Sequence, residues 1–515
     1  MASPERNQWL EAAKQEMRAH VQNGTWELVK LPPSRRAIGS RWVFKVKKDS
    51  QGNIERYKAR LVAKGFSQRP GIDFHEVFAP TMRWGSIRAI LALAALEDME
   101  LESLDVSNAY LNGVLPPGET VYMEQPEGFR DEAKWDYVCQ LVKGLYGLKQ
   151  SGRLWYQELG KVLEGIGYAR LVSDPSIYVW EKDGIRVILP AFVDDLTLVS
   201  KSTELIKETK SALAAKLTIC DLGPTSFLLG VHITRDRTNR SLSLSQRQYC
   251  IDLLARFNMS DCKPLATPMT AGLRLTKDMC PSTPDEIAYM QKVPYLNAVG
   301  ALNFLATATR PDIAFTVSKL ARFNSNPGIP HWTAVKHLLR YIQGTKDLRI
   351  TYAPDPSSTS LFTTWTDADY AREPHTGKST NGYVVKIGTG AVCWASKLQG
   401  VVARSSTEAE FYGASFAGTE IKWLRELLKE GGYTFDSPSP LFVDNTSTIQ
   451  VLNDAVQKSN MRHITVQEYW IRDEIAKFHT ISVHYCPSEE MPADLLTKPL
   501  SGPLVVKLRE LMGLS

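Results

Sequence analysis

Short apolar runs separated by polar turns give this chain a mixed pattern of helices and strands. The segment "SIRAILALAALEDM" has apolar residues at helical spacing over a helical length. The segment "ELESLDVSNAYLNG" predicts a strand that ends near Asp105, followed by a turn. Farther on, "RVILPAF" and "LTLVS" predict a β-hairpin whose turn is Asp194-Asp195. A buried carboxylate without a partner is costly, so two adjacent acids in an apolar hairpin require an explanation.

The second half of the chain shows a different order of elements. "DLGPTSFLLGVHITRDRTNRSLSLSQ" predicts further hairpins, and "CKPLATPMTAGLRLTKDMCPSTPDE" and "APDPSSTS" predict linkers around a helical region. After the second linker, the pattern predicts a strand "LFTTWTD", a hairpin, a helix from Ser406, a strand "LFVD", a helix and a final strand. The fold class is therefore α+β or α/β with several domains.

Composition narrows the class of protein without identifying a site. The 515 residues should form more than one domain. The seven cysteines form no CxxC pair, which indicates neither a zinc site nor a disulfide framework and favours an intracellular location. The polar start "MASPERNQWL" does not resemble a signal peptide, and the run "AILALAAL" is too short to cross a bilayer, so we expect no membrane partner.

Positive charge is concentrated in one segment. The net charge is +5, but residues 35–69 contain eleven Lys and Arg against two Asp and Glu. There, cationic residues alternate with Trp, Phe, Val and Tyr, which suits a hairpin with one packed face and one basic face. A solvated charged face is the alternative; the density of charge favours a surface that contacts phosphates.

The paired aspartates suggest metal chemistry. Asp194 and Asp195 at a hairpin turn, with Asp105 at the end of a neighbouring strand, would form a cage of oxygen ligands, which favours Mg²⁺ or Mn²⁺ over zinc. Two such ions about 4 Å apart are the usual machinery for in-line phosphoryl transfer. Taken alone, an Asp pair is more often an exposed turn.

The pair occurs within an ordered set of motifs. "LDVSNAYLNG", "LYGLKQSGRLWYQEL", "FVDDLTLVS", "DLGPTSFLLG", "WTDADYA", "SSTEAEFYGA", "VDNTSTI" and "ADLLTKPL" follow one another, and together the set resembles the reverse transcriptase of copia-type LTR retrotransposons. The resemblance implies a right-hand polymerase of fingers, palm and thumb followed by an RNase H-like domain. We expect fingers and palm in residues 1–262, a thumb or connection region in 263–355, and the RNase H-like domain in 356–515.

The resemblance also implies roles for individual residues. Asp105, Asp194 and Asp195 match the metal-binding triad of the polymerase, with two Mg²⁺ or Mn²⁺ ions in each catalytic centre. Tyr110 matches the side chain that blocks a ribose 2′-hydroxyl, with a packed tyrosine as the alternative. The remaining implied contacts are Lys58, Arg60 and Lys64 near the incoming triphosphate, in an order left open, and Gln150, Ser151 and Arg153 beside the nucleotide and template.

A second set of acids suits an RNase H site, which needs several carboxylates around two metal ions. The candidates are Asp367 in a strand, Asp444 at a strand end, Asp494 at the start of the last helix, and Glu408 or Glu410 in a helix capped by Ser406 or Thr407. Residues two apart lie on nearly opposite helix faces, and Glu410 shares its face with Ala414, Ile421 and Leu424. We therefore predict that Glu410 is the fourth acid and that Glu408 faces solvent.

Three further residues carry weaker signals. His484 precedes Asp494 by ten residues, where a histidine can assist product release, although an exposed histidine on an edge strand is the simpler interpretation. His463 matches a family histidine, but Thr465 and Gln467 depart from the family pattern. For Asp369, we expect a surface position.

The resemblance implies an RNA-directed DNA polymerase with ribonuclease H activity. Its expected partners are an RNA template, a DNA primer, RNA/DNA hybrid and deoxynucleoside triphosphates, with a dimer or particle components as further candidates. The expected location is the cytoplasm, including virus-like particles, or the nucleus. The segment would lie inside a longer polyprotein, since gag, protease and integrase segments are not recognised in it. A decayed or co-opted nucleic-acid-binding remnant is the alternative, which the presence of all seven carboxylates disfavours.

Overall fold

Sheets and helices alternate along the chain, as the hydrophobic pattern predicts. The computed structural model describes residues 5–48, 54–453 and 466–515, and these residues form five β-sheets. Within these ranges, no helix is both long and apolar enough to span a membrane.

The elements are numbered in chain order. Up to residue 256 they are α1 (Arg6–Gln22), β1 (Trp26–Lys30), β2 (Ser40–Lys48), β3 (Ile54–Ala63), α2 (Trp84–Leu96), β4 (Glu100–Val106), β5 (Val121–Met123), β6 (Tyr137–Leu141), α3 (Ser151–Ile166), β7 (Ala169–Arg170), β8 (Ile177–Lys182), β9 (Ile185–Phe192), β10 (Asp195–Ser200), α4 (Thr203–Ala214), β11 (Ile219–Pro224), β12 (Phe227–Leu228), β13 (Val231–Asp236), β14 (Ser241–Ser245) and α5 (Arg247–Arg256). The later elements are α6 (Pro284–Met290), α7 (Tyr295–Ala308), α8 (Ala314–Ala321), α9 (Ile329–Gly344), β15 (Arg349–Tyr352), β16 (Thr363–Asp369), β17 (Thr380–Ile387), β18 (Gly390–Leu398), α10 (Ser406–Glu430), β19 (Ser439–Val443), α11 (Thr446–Asn453), α12 (Val466–Ala476), β20 (Ile481–Tyr485) and α13 (Gly502–Leu511).

A six-stranded antiparallel sheet carries the paired aspartates. Its strand order is β11-β4-β10-β9-β8-β7. The predicted β9–β10 hairpin is confirmed, but its turn is displaced by one residue. Asp195 is the first residue of β10, opposite Phe192, so the turn residues are Val193 and Asp194. Helices α3 and α4 cover one face of this sheet through Trp155 and Leu213.

The basic segment forms the predicted hairpin. Strands β2 and β3 pair antiparallel, and α1 packs on them through Ala12 and Ala13, which contact Ala59. Lys45 lies directly opposite Lys58 in the register. Facing like charges destabilise a strand pair, so this hairpin retains its cations at a cost in stability. Beside it, β1, β6 and β5 form a three-stranded sheet.

A four-stranded sheet, β12-β13-β14-β15, connects the middle of the chain to the helical region. Strand β15 follows helices α5 to α9 in sequence and pairs with β14, which precedes them. The helices enclose their own apolar core, in which Leu302, Leu338 and Ile342 are fully buried. The strands of this sheet therefore come from both sides of the domain boundary that we expected at residue 262.

The C-terminal part contains a five-stranded mixed sheet, β18-β17-β16-β19-β20. Strands β16, β17 and β18 are antiparallel, whereas β19 and β20 run parallel to β16. Helix α10 packs on this sheet through Phe411, Ala414 and Ile421. The predicted sequence of strand, hairpin, helix, strand, helix and strand is thus present.

One apolar core joins the six-, four- and five-stranded sheets. It includes Val199 of β10, Leu244 of β14 and Val392 of β18, with helix α2 between them. Inside this core, α2 presents Arg88, which is 3 % exposed. Its guanidinium donates to the carbonyls of Val392 at 2.7 Å and Ala308 at 2.9 Å.

Arg88 also lies 3.6 Å from the ring centroid of Trp394, a cation–π contact. Burial lowers the pKa of Arg88, which shows how far the guanidinium is removed from water. A buried charge is tolerated only when its donors are satisfied, and here carbonyls from two other regions of the chain satisfy them.

We predict that Arg88→Met lowers the free energy of unfolding by about 2 kcal/mol or more, because it leaves the carbonyls of Val392 and Ala308 buried without a donor. Urea denaturation measures the change. Arg83→Met is the matched control, since the Arg83 side chain is exposed and lies over the face of Trp423, at 4.8 Å. Its expected loss is below about 1 kcal/mol. Equal losses in the two variants would contradict a special role for the buried guanidinium.

Candidate active sites

The three predicted polymerase aspartates meet at one end of the six-stranded sheet. Asp105 lies near the end of β4, and the β4–β10 register places Asp195 directly opposite it. Residues directly opposite in an antiparallel pair have side chains about 5 Å apart at Cβ. Asp194 occupies the adjoining turn. All three side chains are half-buried, so the sheet edge holds three acids at the boundary with solvent.

The turn that carries Asp194 is held by two hydrogen bonds from other elements. The indole nitrogen of Trp155, in α3, donates to the carbonyl of Val193 at 2.7 Å. The amide of Val106 donates to the carbonyl of Asp194 at 2.8 Å. Val193 has φ of 57°, a strained conformation for a β-branched residue. The surrounding contacts therefore fix the backbone that aims the two acids.

A cavity of about 720 Å³ opens over these acids. On its opposite side lies β3, on which Arg56, Lys58 and Arg60 alternate with the buried Ala59 and Leu61. Carboxylates and cations thus line the same cavity, an arrangement suited to a triphosphate accompanied by metal ions. The cavity is lined by Ala12, Gln15, Glu16, Ala19, Arg56, Tyr57, Lys58, Ala59, Arg60, Asp105, Val106, Ser107, Asn108, Tyr146, Asp194, Asp195, Cys220 and Leu222.

Two of the three predicted finger cations, Lys58 and Arg60, line this cavity. Lys64 lies beyond the end of β3, where its side chain packs over Gly39, and it is not part of the lining. Arg56 lines the cavity although the sequence did not single it out. Its position two residues before Lys58 on the same strand face was the available signal.

Tyr110 lies behind the cavity wall. It belongs to a 3-10 helix, Ala109–Asn112, and its ring meets that of Tyr146 edge to face at 4.7 Å. Burial, and next the charge of Asp194, raises the pKa of Tyr110. Tyr146 itself lines the cavity, with the Arg60 guanidinium 4.6 Å from its ring centroid. Sequence reasoning missed Tyr146, although it lies inside the motif "LYGLKQ".

The loop residues at the start of α3 are engaged within the protein. Gln150 is fully buried, and its amide donates to the carbonyl of Asp73 at 2.9 Å. The Ser151 hydroxyl donates to the carbonyl of Leu145 at 2.7 Å and accepts from the amide of the same residue. Arg153 forms an ion pair with Glu76. In this arrangement the first two residues position the loop, and neither lines the cavity.

A second acidic cluster lies on the five-stranded sheet. Asp367 is in β16, Glu410 is in α10, and Asp444 directly follows β19. In the part of the chain that the structure describes, these are the one trio of His, Cys, Asp or Glu whose ligand atoms all lie within 4.8 Å of one another. The side-chain oxygens of Asp105, Asp194 and Asp195 are not all within 4.8 Å of one another.

Burial and mutual repulsion dominate the electrostatics of this trio. Asp367 is 2 % and Glu410 is 6 % exposed. Burial, followed by the charges of Asp367 and Asp444, raises the pKa of Glu410 well above its ordinary value. Burial, and then Asp367, also raises the pKa of Asp444. The protein therefore brings carboxylates together at an electrostatic cost.

The donor set fits a hard divalent cation. Glu410 Oε1 accepts from the amide of Ala368 at 3.2 Å, while Oε2 is buried and has no hydrogen-bond partner among the described residues. Oxygen-only ligands of this kind suit Mg²⁺ or Mn²⁺. A cation at this position would offset the repulsion and satisfy Oε2.

Asp494 joins the cluster from another side. It lies in a 3-10 helix, Pro492–Leu496, and not at the start of the last helix, which is α13. The sequence prediction was wrong because Pro492 begins a separate short turn. Burial, and next Asp367, raises the pKa of Asp494 to about 7. The Lys498 amine lies 2.9 Å from Asp494 Oδ1, and the Thr497 hydroxyl donates to Asp367.

Two sequence expectations near this cluster were wrong. Glu408 is 5 % exposed: it accepts from the amide of Arg404 at 2.8 Å and from the Tyr412 hydroxyl. The preceding chain folds back over the first turn of α10, whose cap is Ser405, and so covers the face expected to meet solvent. Asp369 is also buried and accepts from the amide of Thr380; burial raises its pKa to about 6.

The two histidines have different outcomes. His484 is exposed on β20, an edge strand, with its Nε2 2.9 Å from the Ser482 hydroxyl. This is the simpler of the two interpretations offered by the sequence. His463 lies outside the described residues.

Comparison with known proteins shows which family the chain belongs to. Residues 23–271 match the family described as "Reverse transcriptase (RNA-dependent DNA polymerase)". The Pol polyprotein of transposon TNT 1-94 from Nicotiana tabacum is 42 % identical over the whole chain, which covers 38 % of that relative. The Pol polyprotein of transposon RE2 from Arabidopsis thaliana is 38 % identical over 96 % of the chain, covering 33 % of that relative.

The chain thus spans between 33 % and 38 % of the length of these two relatives. A shorter relative is covered completely: a putative transposon Ty5-1 protein of Saccharomyces cerevisiae, which is 31 % identical over 62 % of this chain. Its full coverage, together with the match over residues 23–271, identifies the family. The chain belongs to the copia-type retrotransposon Pol family and contains its reverse transcriptase domain.

Proposed function

We propose that this protein copies RNA into DNA at the centre formed by Asp105, Asp194 and Asp195. The observation that carries the proposal is the register that sets Asp195 opposite Asp105, beside a cavity that Lys58 and Arg60 also line. Divalent ions held there would activate the primer hydroxyl and stabilise the leaving oxygen. The acids hold the ions, the β3 cations bind the triphosphate, and Trp155 fixes the turn. The substrates are an RNA template, a DNA primer and deoxynucleoside triphosphates.

We also propose that the second cluster cleaves RNA in an RNA/DNA hybrid. Asp367, Glu410 and Asp444 provide the closely spaced oxygens that bind a divalent ion, and Asp494 supplies a fourth acid. Asp367, Glu410 and Asp494 are buried and Asp444 is half-buried, so the field of a bound ion would be weakly screened. The basic β2–β3 hairpin supports a nucleic-acid substrate for the whole chain.

We predict that Asp194→Asn reduces primer extension on an RNA template by on the order of 100-fold or more, because a charged metal ligand becomes neutral. The assay measures Mg²⁺-dependent extension and its loss in excess chelator. Asp183→Asn is the control: Asp183 lies exposed in the β8–β9 turn, at the other end of β9. Full extension by Asp194→Asn would favour a non-catalytic nucleic-acid-binding protein.

We predict that Tyr110→Ala increases incorporation of ribonucleotides relative to deoxyribonucleotides, because removing the ring opens space beside the sugar. Competition between the two nucleotide types measures the ratio. Tyr110→Phe keeps the ring that packs edge to face on Tyr146 and should leave the ratio unchanged. An unchanged ratio in Tyr110→Ala would mean that Tyr110 only supports Tyr146.

We predict that Glu410→Gln abolishes cleavage of RNA in hybrid and leaves DNA synthesis largely intact, since the polymerase acids lie on another sheet. Glu408→Gln is the matched control, two residues away on the same helix. The amide oxygen of Gln can still accept from the Arg404 amide, while the acceptor for the Tyr412 hydroxyl is lost, so the variant should retain most cleavage with a stability loss of about 1 kcal/mol. Loss of cleavage in Glu408→Gln with retention in Glu410→Gln would contradict the assignment.

A further inference from the structure

Lys498 places an ammonium group inside the second acidic cluster. Its Nζ lies 2.9 Å from Asp494 Oδ1 and 3.6 Å from Asp367 Oδ2. The Lys498 side chain is 23 % exposed, whereas the side chains of Asp494 and Asp367 are 5 % and 3 % exposed. The protein therefore supplies its own cation between two buried acids.

The four acids form two overlapping sets that share Asp367. On one side, Asp367 joins Glu410 and Asp444 in the trio, where Glu410 Oε2 has no hydrogen-bond partner among the described residues. On the other side, Asp367 and Asp494 are bridged by Lys498. Asp494 Oδ1 is likewise buried without a hydrogen-bond partner among the described residues, but it forms the ion pair with Lys498. The second set therefore differs from the trio in containing a cation of the protein.

We propose that Lys498 holds the place of one of the two divalent ions at this centre until substrate binds. The inference rests on the proposed RNase H function. In the free protein, one divalent ion binds the trio, and a second binds between Asp367 and Asp494 only after the ammonium withdraws. Lys498 would in this way regulate how many divalent ions the centre contains.

Charge and side-chain chemistry make this exchange workable. An ammonium and a divalent ion cannot share the same pair of carboxylates, because their repulsion at a few ångströms in a weakly screened site is severe. Lysine is a point charge on a flexible stem, and the partial exposure of Lys498 leaves a route toward solvent. A phosphate of bound hybrid would give the displaced ammonium a new anionic partner. Loading of the second ion would then be coupled to substrate binding.

The test counts Mn²⁺ bound by the full chain without nucleic acid. Asp194→Asn and Asp195→Asn are introduced first, to remove the ligands of the polymerase centre. Electron paramagnetic resonance of free Mn²⁺ during a titration gives the stoichiometry and the affinities. We expect one Mn²⁺ in this parent, with the second bound at least about tenfold more weakly.

Lys498→Met in the same background should bind the second Mn²⁺ at least about tenfold more tightly than the parent. It should also unfold at lower temperature in chelator and regain stability with Mn²⁺. Lys507→Met, an exposed lysine of α13, should match the parent in both measurements.

Two ions of equal affinity in the parent would overturn the proposal, and so would an unchanged second affinity in Lys498→Met. If Lys498→Met does not fold, the parent titration alone decides between one ion and two. Failure of the proposed RNase H function has a different signature: hybrid stays uncleaved while the parent still binds one Mn²⁺ at this centre.

Discussion

Repulsion between carboxylates at close range is the constraint on which both candidate centres depend. Acids such as Glu410 and Asp367 would separate if their backbones were free. The pKa of Glu410 is raised first by burial and then by the charges of Asp367 and Asp444. Only a rigid scaffold can hold the acids close together against this repulsion. In each centre the scaffold is a sheet: the β4–β10 register in one, and β16 with its parallel neighbour β19 in the other.

The scaffolds resist this repulsion in different ways. Around Asp194, hydrogen bonds from Trp155 and Val106 fix a strained turn, and the acids stay at the solvent boundary. Around Glu410, burial is nearly complete, and Lys498 forms ion pairs with the neighbouring Asp494 and Asp367. The first arrangement suits a centre that opens onto a large cavity for a nucleotide. The second suits a compact site at which ions and a backbone phosphate meet.

Local patterns predicted the parts of the structure that local sequence determines. The strand ending near Asp105, the hairpin before Asp195 and the helix containing Glu410 are short-range features, and all three are present. Burial caused by distant segments was not predictable in this way. Glu408 is covered by the chain that precedes α10, so its position on a helical wheel was misleading.

The same limit applies to cations. Arg88 is followed by a run of apolar residues and gives no sign in sequence that its partners lie more than 200 residues away. Lys498 lies four residues after Asp494 in the motif "ADLLTKPL", but its second partner, Asp367, is brought close by tertiary packing of β16. The periodic pattern of hydrophobic and polar residues does not predict which distant residues a polar side chain will contact.

The apolar core that unites the six-stranded and five-stranded sheets has a consequence for how nucleic acid would pass over the protein. Because Val199, Val392 and helix α2 belong to one packed interior, neither sheet can swing relative to the other without opening that interior to water. Under the two proposed activities, a hybrid duplex lying across both centres would therefore span a constant number of base pairs between them. The apolar packing around helix α2 would then set the length of RNA that remains paired behind the growing DNA end.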